Sequence, residues 1–227
     1  MKNRIIQITV LMISGVLAVL NILLFGGKHY SAATLLAAFL ACLPFYFSFE
    51  RQNYGKSKEI MMISIMTALS VCGRIVFGFI PFFKPVTAIT IISGMYLGYS
   101  AGFVTGSFSA LISNVYFGHG PWTIFQMCSW GLIGCLAGVM GKKENKIYII
   151  FFSIFSGTIF SVIMDLWTVL NIEGKFSLSR YMAVFMSGIP VTVTYSVSNI
   201  IFLMLMQKPF GRKLERAKLK YGIFKSK

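Results

Sequence analysis

Arg74 and Asp165 stand inside apolar runs long enough to cross a bilayer, and an ionisable side chain at that depth is costly enough to mark a functional site by default. Both lie toward the outer ends of their runs. Two roles are open to them: they pair with each other and stabilise packing, or they line a pocket open to the outer face. Trp122, Gln126 and Trp130 recur every four residues and so share one helix face. An amide between two indoles offers apolar area with one orienting polar group, which is the usual make-up of a small-molecule pocket. Asn114, Asn171 and Asn199, with Trp167 and with Lys84 in the turn IPFFKP, are further candidates for its walls. His119, in the loop GHGPW, is placed to touch a ligand or a metal, but no second metal ligand stands beside it.

Several chemistries are missing. There is no G-x-x-x-x-G-K-[ST] phosphate cradle, no H-E-x-x-H, no G-x-S-x-G and no carboxylate pair. The chain is therefore expected to hold no catalytic residues, no metal and no catalytic cofactor, and not to be an enzyme. Cys42, Cys72, Cys128 and Cys135 all lie in apolar runs without a C-x-x-C pair, and read as buried free thiols.

The elements that must position these groups follow from composition. With 56% hydrophobic residues, 12% charged residues and a mean hydropathy of +0.77, the chain is a multi-pass membrane protein. Its net charge of +15 is then a matter of membrane orientation rather than of nucleic acid. Apolar runs place spans at 5–25, 32–49 and 60–79, the third stopped by Pro81 and Pro85. The 32 residues from Val86 to Phe117 would reach about 48 Å as one helix, against a hydrocarbon core of about 30 Å. They are broken at Gly98-Tyr99-Ser100 into helices over 86–97 and 101–117, the first so short that it must be tilted or shielded by protein. Further spans are expected over 122–140, 147–170 and 181–206, with Pro190 kinking the last.

Eight spans result, with both termini cytoplasmic. This count puts Lys2, Arg4, Arg51, Lys56, Lys58, Lys142, Lys143, Lys146 and the tail from Lys208 to Lys227 on one side, leaving Lys28, Lys84, Lys175 and Arg180 on the other. The polar loop ERQNYGKSKE divides a two-helix appendage (1–56) from a core (57–207) that ends in the basic tail (208–227). Within the core, Gly94, Gly98, Gly102, Gly106 and Ala110 recur every four residues, and Gly134 and Gly138 continue the step on the next helix. Small faces of this kind let helix backbones approach closely in lipid.

The stretch from Gly73 to Gly138 resembles the substrate-binding S components of energy-coupling factor (ECF) transporters, the vitamin importers of prokaryotes. The resemblance rests on GR near the end of the first core helix, KPVTA opening the second, AGF-x-x-G in the third and G-x-GPWT-x-x-QM opening the fourth. It implies an all-α membrane fold with a six-helix core, preceded here by two additional helices. It also implies capture of a vitamin from outside, followed by association with a transmembrane T subunit and two cytoplasmic ATPases in the plasma membrane. The GPWT-x-x-QM string is most similar to members associated with cobalamin. Docking on the T subunit is implied for an A-x-x-x-A face, matched here by Ser64, Ala68 and Cys72, with Gly102 and Gly106 as further small positions of the interface. Arg74, Lys84, Asn114, His119, Trp122, Gln126, Trp130, Asp165 and Asn171 are the expected substrate-binding set. The alternative is a non-transporting membrane scaffold or assembly partner that uses the same small faces only to pack.

Overall fold

A computed structural model describes residues 57–223, together with Leu43 and Tyr46. The two expected spans at 5–25 and 32–49 otherwise lie outside the described residues. The described chain is all-α, with seven helices: α1 (Ser57–Val76), α2 (Val86–Leu97), α3 (Tyr99–Phe117), α4 (Trp122–Met140), α5 (Lys146–Glu173), α6 (Leu178–Ser187) and α7 (Ile189–Tyr221). Of these, α1, α4, α5 and α7 are long and apolar enough to cross a membrane. The protein is thus a multi-pass membrane protein with four such spans among the described residues.

Helix α2 is the centre. Every residue from Val86 to Leu97 is buried, and α1, α3, α4 and α7 pack around it. At about 1.5 Å per residue its 12 residues cover roughly 18 Å, so it cannot face lipid across the bilayer and is walled by protein instead. It ends at Gly98, whose φ of +101° lies in the region that favours glycine. The Gly98 amide closes α2 on the Gly94 carbonyl at 2.9 Å, and the Gly98 carbonyl accepts the Gly102 amide of α3, also at 2.9 Å. The chain reverses there, as the break at Gly98-Tyr99-Ser100 predicted.

The four-residue glycine pattern joins α2 and α3 to α4 backbone against backbone. A Cβ on Gly94 would stand 2.1 Å from the Gly134 carbonyl oxygen, one on Gly102 would stand 2.4 Å from the same oxygen, and one on Gly106 would stand 2.4 Å from the Trp130 carbonyl oxygen. Gly102 and Gly106 are therefore used inside this chain. Both positions, expected at a subunit interface, are buried against α4. The ridge Ser64, Ala68, Cys72 differs, because all three residues are exposed on α1.

The polar residues of helix α3 point inward. Ser107, Ser109, Ser113 and Asn114 are buried, whereas Phe108, Leu111, Ile112, Val115 and Tyr116 are exposed. Burial is tolerated because the hydroxyls find carbonyl acceptors: Ser109 Oγ donates back to Thr105 at 2.6 Å, and Ser107 Oγ donates across to Met127 of α4 at 3.1 Å.

The last expected span departs from expectation. In place of one helix kinked at Pro190 there are two, α6 and α7, separated at Gly188, so the core contains seven helices rather than six. Pro190 lies in the first turn of α7, where its missing N–H costs nothing. Helix α6 folds back along α5, with Tyr181 Oη donating to the Val162 carbonyl at 3.2 Å. Helix α7 then descends beside α5, joined by Thr192 Oγ1 to Ser161 Oγ at 2.8 Å and by Asn199 Nδ2 to the Ser153 carbonyl at 3.3 Å. It continues through Pro209 to Tyr221, so the boundary expected at 207/208 falls within a helix.

Candidate functional site

The last turn of α1 carries Arg74, 7% exposed, toward α3 and α4. Its Nη1 donates to Asn114 Oδ1 at 2.8 Å and to Ser113 Oγ. Asn114 passes the connection on, its Nδ2 donating to Thr123 Oγ1 and to Gln126 Oε1, each at 2.9 Å. Thr123 Oγ1 also accepts the Gly120 amide at 3.3 Å, which ties the GHGPW loop to the start of α4. Three helix ends and one loop thus meet in a single polar network.

Aromatic rings enclose it. The Arg74 Cζ atom lies 4.7 Å from the Phe117 ring centroid and 5.0 Å from that of Trp130. Trp130 stacks on Phe160 of α5 at 5.1 Å, and Phe160 meets Tyr195 of α7 at 4.8 Å. Lys84 approaches from the 77–85 turn, its Nζ 4.8 Å from the same Phe117 ring. Its backbone is held by Ser198, whose Oγ accepts the Lys84 amide at 2.9 Å and donates to the Lys84 carbonyl at 3.2 Å. Burial, and then the charge of Arg74, lower the pKa of the Lys84 ammonium.

Energetics decide how this cluster is read. Burying a guanidinium costs several kcal/mol even after relaxation, while a desolvated cation–π contact is worth about 2 kcal/mol. Two ring contacts and two bonds to neutral side chains approach that cost but leave the edge of the group unmet. Arg74 Nε is buried without a hydrogen-bond partner, and so is Trp130 Nε1 beside it. Two orphan N–H donors next to a fixed cation are arranged to receive an acceptor.

The structure brings together Arg74, Lys84, Asn114, Gln126 and Trp130. Arg74 forms no ion pair with Asp165; among the described residues the pairs are Lys142 with Glu144 and Glu215, and Arg180 with Glu173. Of the two roles open to Arg74 and Asp165, mutual pairing is thus ruled out by where the arginine bonds. Asp165 sits instead beside the α6–α7 break, its Oδ2 buried without a partner and 3.6 Å from where a Gly188 Cβ would be. Asn171 is exposed near the end of α5, and His119 is exposed in its loop. Trp122 folds its ring over Gly120, where a Cβ would meet it at 2.2 Å. Ser113, Phe117, Thr123, Phe160, Tyr195 and Ser198 belong to the cluster without a sequence signal that separates them from ordinary helix residues.

At the other end of the bundle a polar cleft of about 140 Å³ is lined by Tyr96, Glu144, Lys208, Arg212 and Glu215. Ligand pockets run from about 300 Å³ upward. Among the described residues no three His, Cys, Asp or Glu side chains converge as metal ligands.

Neither the curated proteins nor the solved structures contain a match to this chain. A family model does match residues 55–213, which span α1 to the far part of α7 and include the whole Arg74 network. The chain belongs to that family, a family of unknown function, DUF6580.

Proposed function

We propose that the chain is the substrate-binding membrane subunit of an ATP-driven importer of the ECF type, in the plasma membrane of a prokaryote. It takes a vitamin from outside, cobalamin being the first to try, and delivers it through a T subunit and two ATPases. The observation that carries the reading is the Arg74–Asn114–Gln126 network, built over Trp130 at the ends of helices opposite the basic α7 terminus. A binding subunit needs such a polar site near the outer surface, whereas a scaffold needs none. The end that carries Lys58, Lys142, Lys143, Lys146 and the α7 lysines is the cytoplasmic one, so the network faces outward. The exposed Ser64, Ala68, Cys72 ridge is available for a transmembrane partner.

That same ridge is what a second reading, a non-transporting scaffold, would use. Mass spectrometry of small molecules released from the purified protein separates the two. A vitamin recovered in stoichiometric amount, with a T subunit and ATPases copurifying, is the expected result; copurifying membrane proteins without any ligand would favour the scaffold.

A further inference from the structure

We infer that the molecule taken by this site carries an anionic group, a carboxylate or a phosphate, which seats against Arg74 and Lys84. The inference rests on the importer reading only for the word substrate; the anion site stands on its own geometry. Two cations share one ring, with Arg74 Cζ 4.7 Å and Lys84 Nζ 4.8 Å from the Phe117 centroid. Neither joins any ion pair among the described residues.

The chain has few acids to offer. Its six are Glu50, Glu59, Glu144, Asp165, Glu173 and Glu215. Glu144 and Glu215 are held by Lys142 at the cytoplasmic end, and Glu173 is held by Arg180. Glu59 stands at the opposite end of α1 from Arg74. Asp165 lies at the Gly188 break, and Glu50 lies outside the described residues. The internal partners of Arg74, Ser113 and Asn114, are neutral.

Geometry then specifies what is missing. The rings of Phe117 and Trp130 flank the guanidinium, and its Nη1 is taken by Ser113 and Asn114, so the open capacity is at the Nε edge. There Arg74 Nε is a buried donor without an acceptor, and Trp130 Nε1, on a residue 2% exposed, is another. A planar carboxylate or a phosphate oxygen accepts such edge-on N–H groups and supplies the absent charge. A cation would meet two like charges, and a neutral ring would leave both charges unanswered.

The test uses the full chain in lipid nanodiscs, with binding read by calorimetry. Biotin and pantothenate are the carboxylate probes, cobalamin the phosphodiester, thiamine the cation, and inorganic phosphate the bare anion. The expected result is that an anionic probe binds and that biotin methyl ester, if biotin is that probe, does not. Lys84→Gln, in a turn and therefore tolerant, should weaken binding roughly 10- to 150-fold, and Arg74→Lys should retain more affinity than Arg74→Gln. Lys84→Gln serves as the deciding variant should Arg74→Gln lose its melting transition. Binding of inorganic phosphate, lost in Lys84→Gln, with no vitamin bound would uphold the anion site and defeat the importer reading. Thiamine binding tightest, or Lys84→Gln and Arg74→Lys leaving affinity unchanged, would overturn the anion site while the importer reading stood. Failure of the wild type to bind any probe, phosphate included, would overturn the anion site as well.

Discussion

Lys218 donates from Nζ to the Tyr96 carbonyl at 2.8 Å, so that a residue of the basic C-terminal region satisfies a backbone oxygen at the end of the buried helix α2. The rest of that region is also engaged. Gln207 Nε2 donates to the Lys143 carbonyl at 2.6 Å, Lys142 Nζ reaches Glu215 at 2.7 Å, and Lys58 lies over the Tyr221 ring at 5.5 Å. Leu214 and Ile223 are buried.

The far half of α7 should therefore contribute to stability and not only to orientation in the membrane. Gly211 touches Tyr96, where a Cβ would stand 2.3 Å from both Cζ and Oη. Gly211→Val should destabilise the protein by about 1–3 kcal/mol, through overpacking that the tyrosine relieves only in part. Lys218→Met should cost about 1–3 kcal/mol by leaving a carbonyl unmet. Melting in detergent reads both, and unchanged transitions would return the region to a lipid-facing anchor.

Acid should loosen the same end. The hydrogen bond from Lys142, and then its charge, hold the Glu144 carboxylate below its ordinary range. A lowered carboxylate pKa contributes stability that is present above the unfolded value and is lost as pH falls through the folded one. The melting temperature should drop a little as pH falls below about 4, and Lys142→Gln should flatten that drop. Because Glu144 is exposed, the effect should also shrink at high salt.

Glycine positions should sort by what their backbone meets. Gly102→Val drives a side chain into the Gly134 carbonyl, which cannot move without parting α3 from α4, so the loss should exceed the about 1–3 kcal/mol of ordinary overpacking. Ala68→Trp, on the exposed face of α1, should leave melting and ligand binding unchanged and abolish copurification with the T subunit. Retained copurification would move the docking surface elsewhere.

Within the site, Gln126→Leu removes one of the two acceptors of Asn114 Nδ2 and so loosens the residue that positions Arg74. Ligand affinity should fall about 5- to 150-fold, the equivalent of about 1–3 kcal/mol. Asp165→Asn should leave affinity within twofold, since Asp165 sits at the α6–α7 break and not at the arginine. A large effect of Asp165→Asn with none from Gln126→Leu would place the ligand beside Gly188.

Read alone, the sequence determined the features governed by local chemistry. Hydropathy made the chain a membrane protein, Gly98 divided 86–117 into the two helices observed, and the Pro121 turn started α4 at Trp122. The glycine spacing announced a close helix contact, though not that α4 of the same chain would fill it. Arg74 was marked as functional because a charge in lipid is expensive wherever it points. Only the tertiary structure decided what that charge meets. Whether Arg74 reaches Asp165 or Asn114 depends on how α1, α3 and α5 are rotated and how high each stands, and those follow from packing among residues far apart in the chain. The same holds for the break at Gly188, where α6 packs on α5, and for the basic helix end, whose charges read as a matter of membrane orientation until Tyr96 and Glu215 were placed beside them.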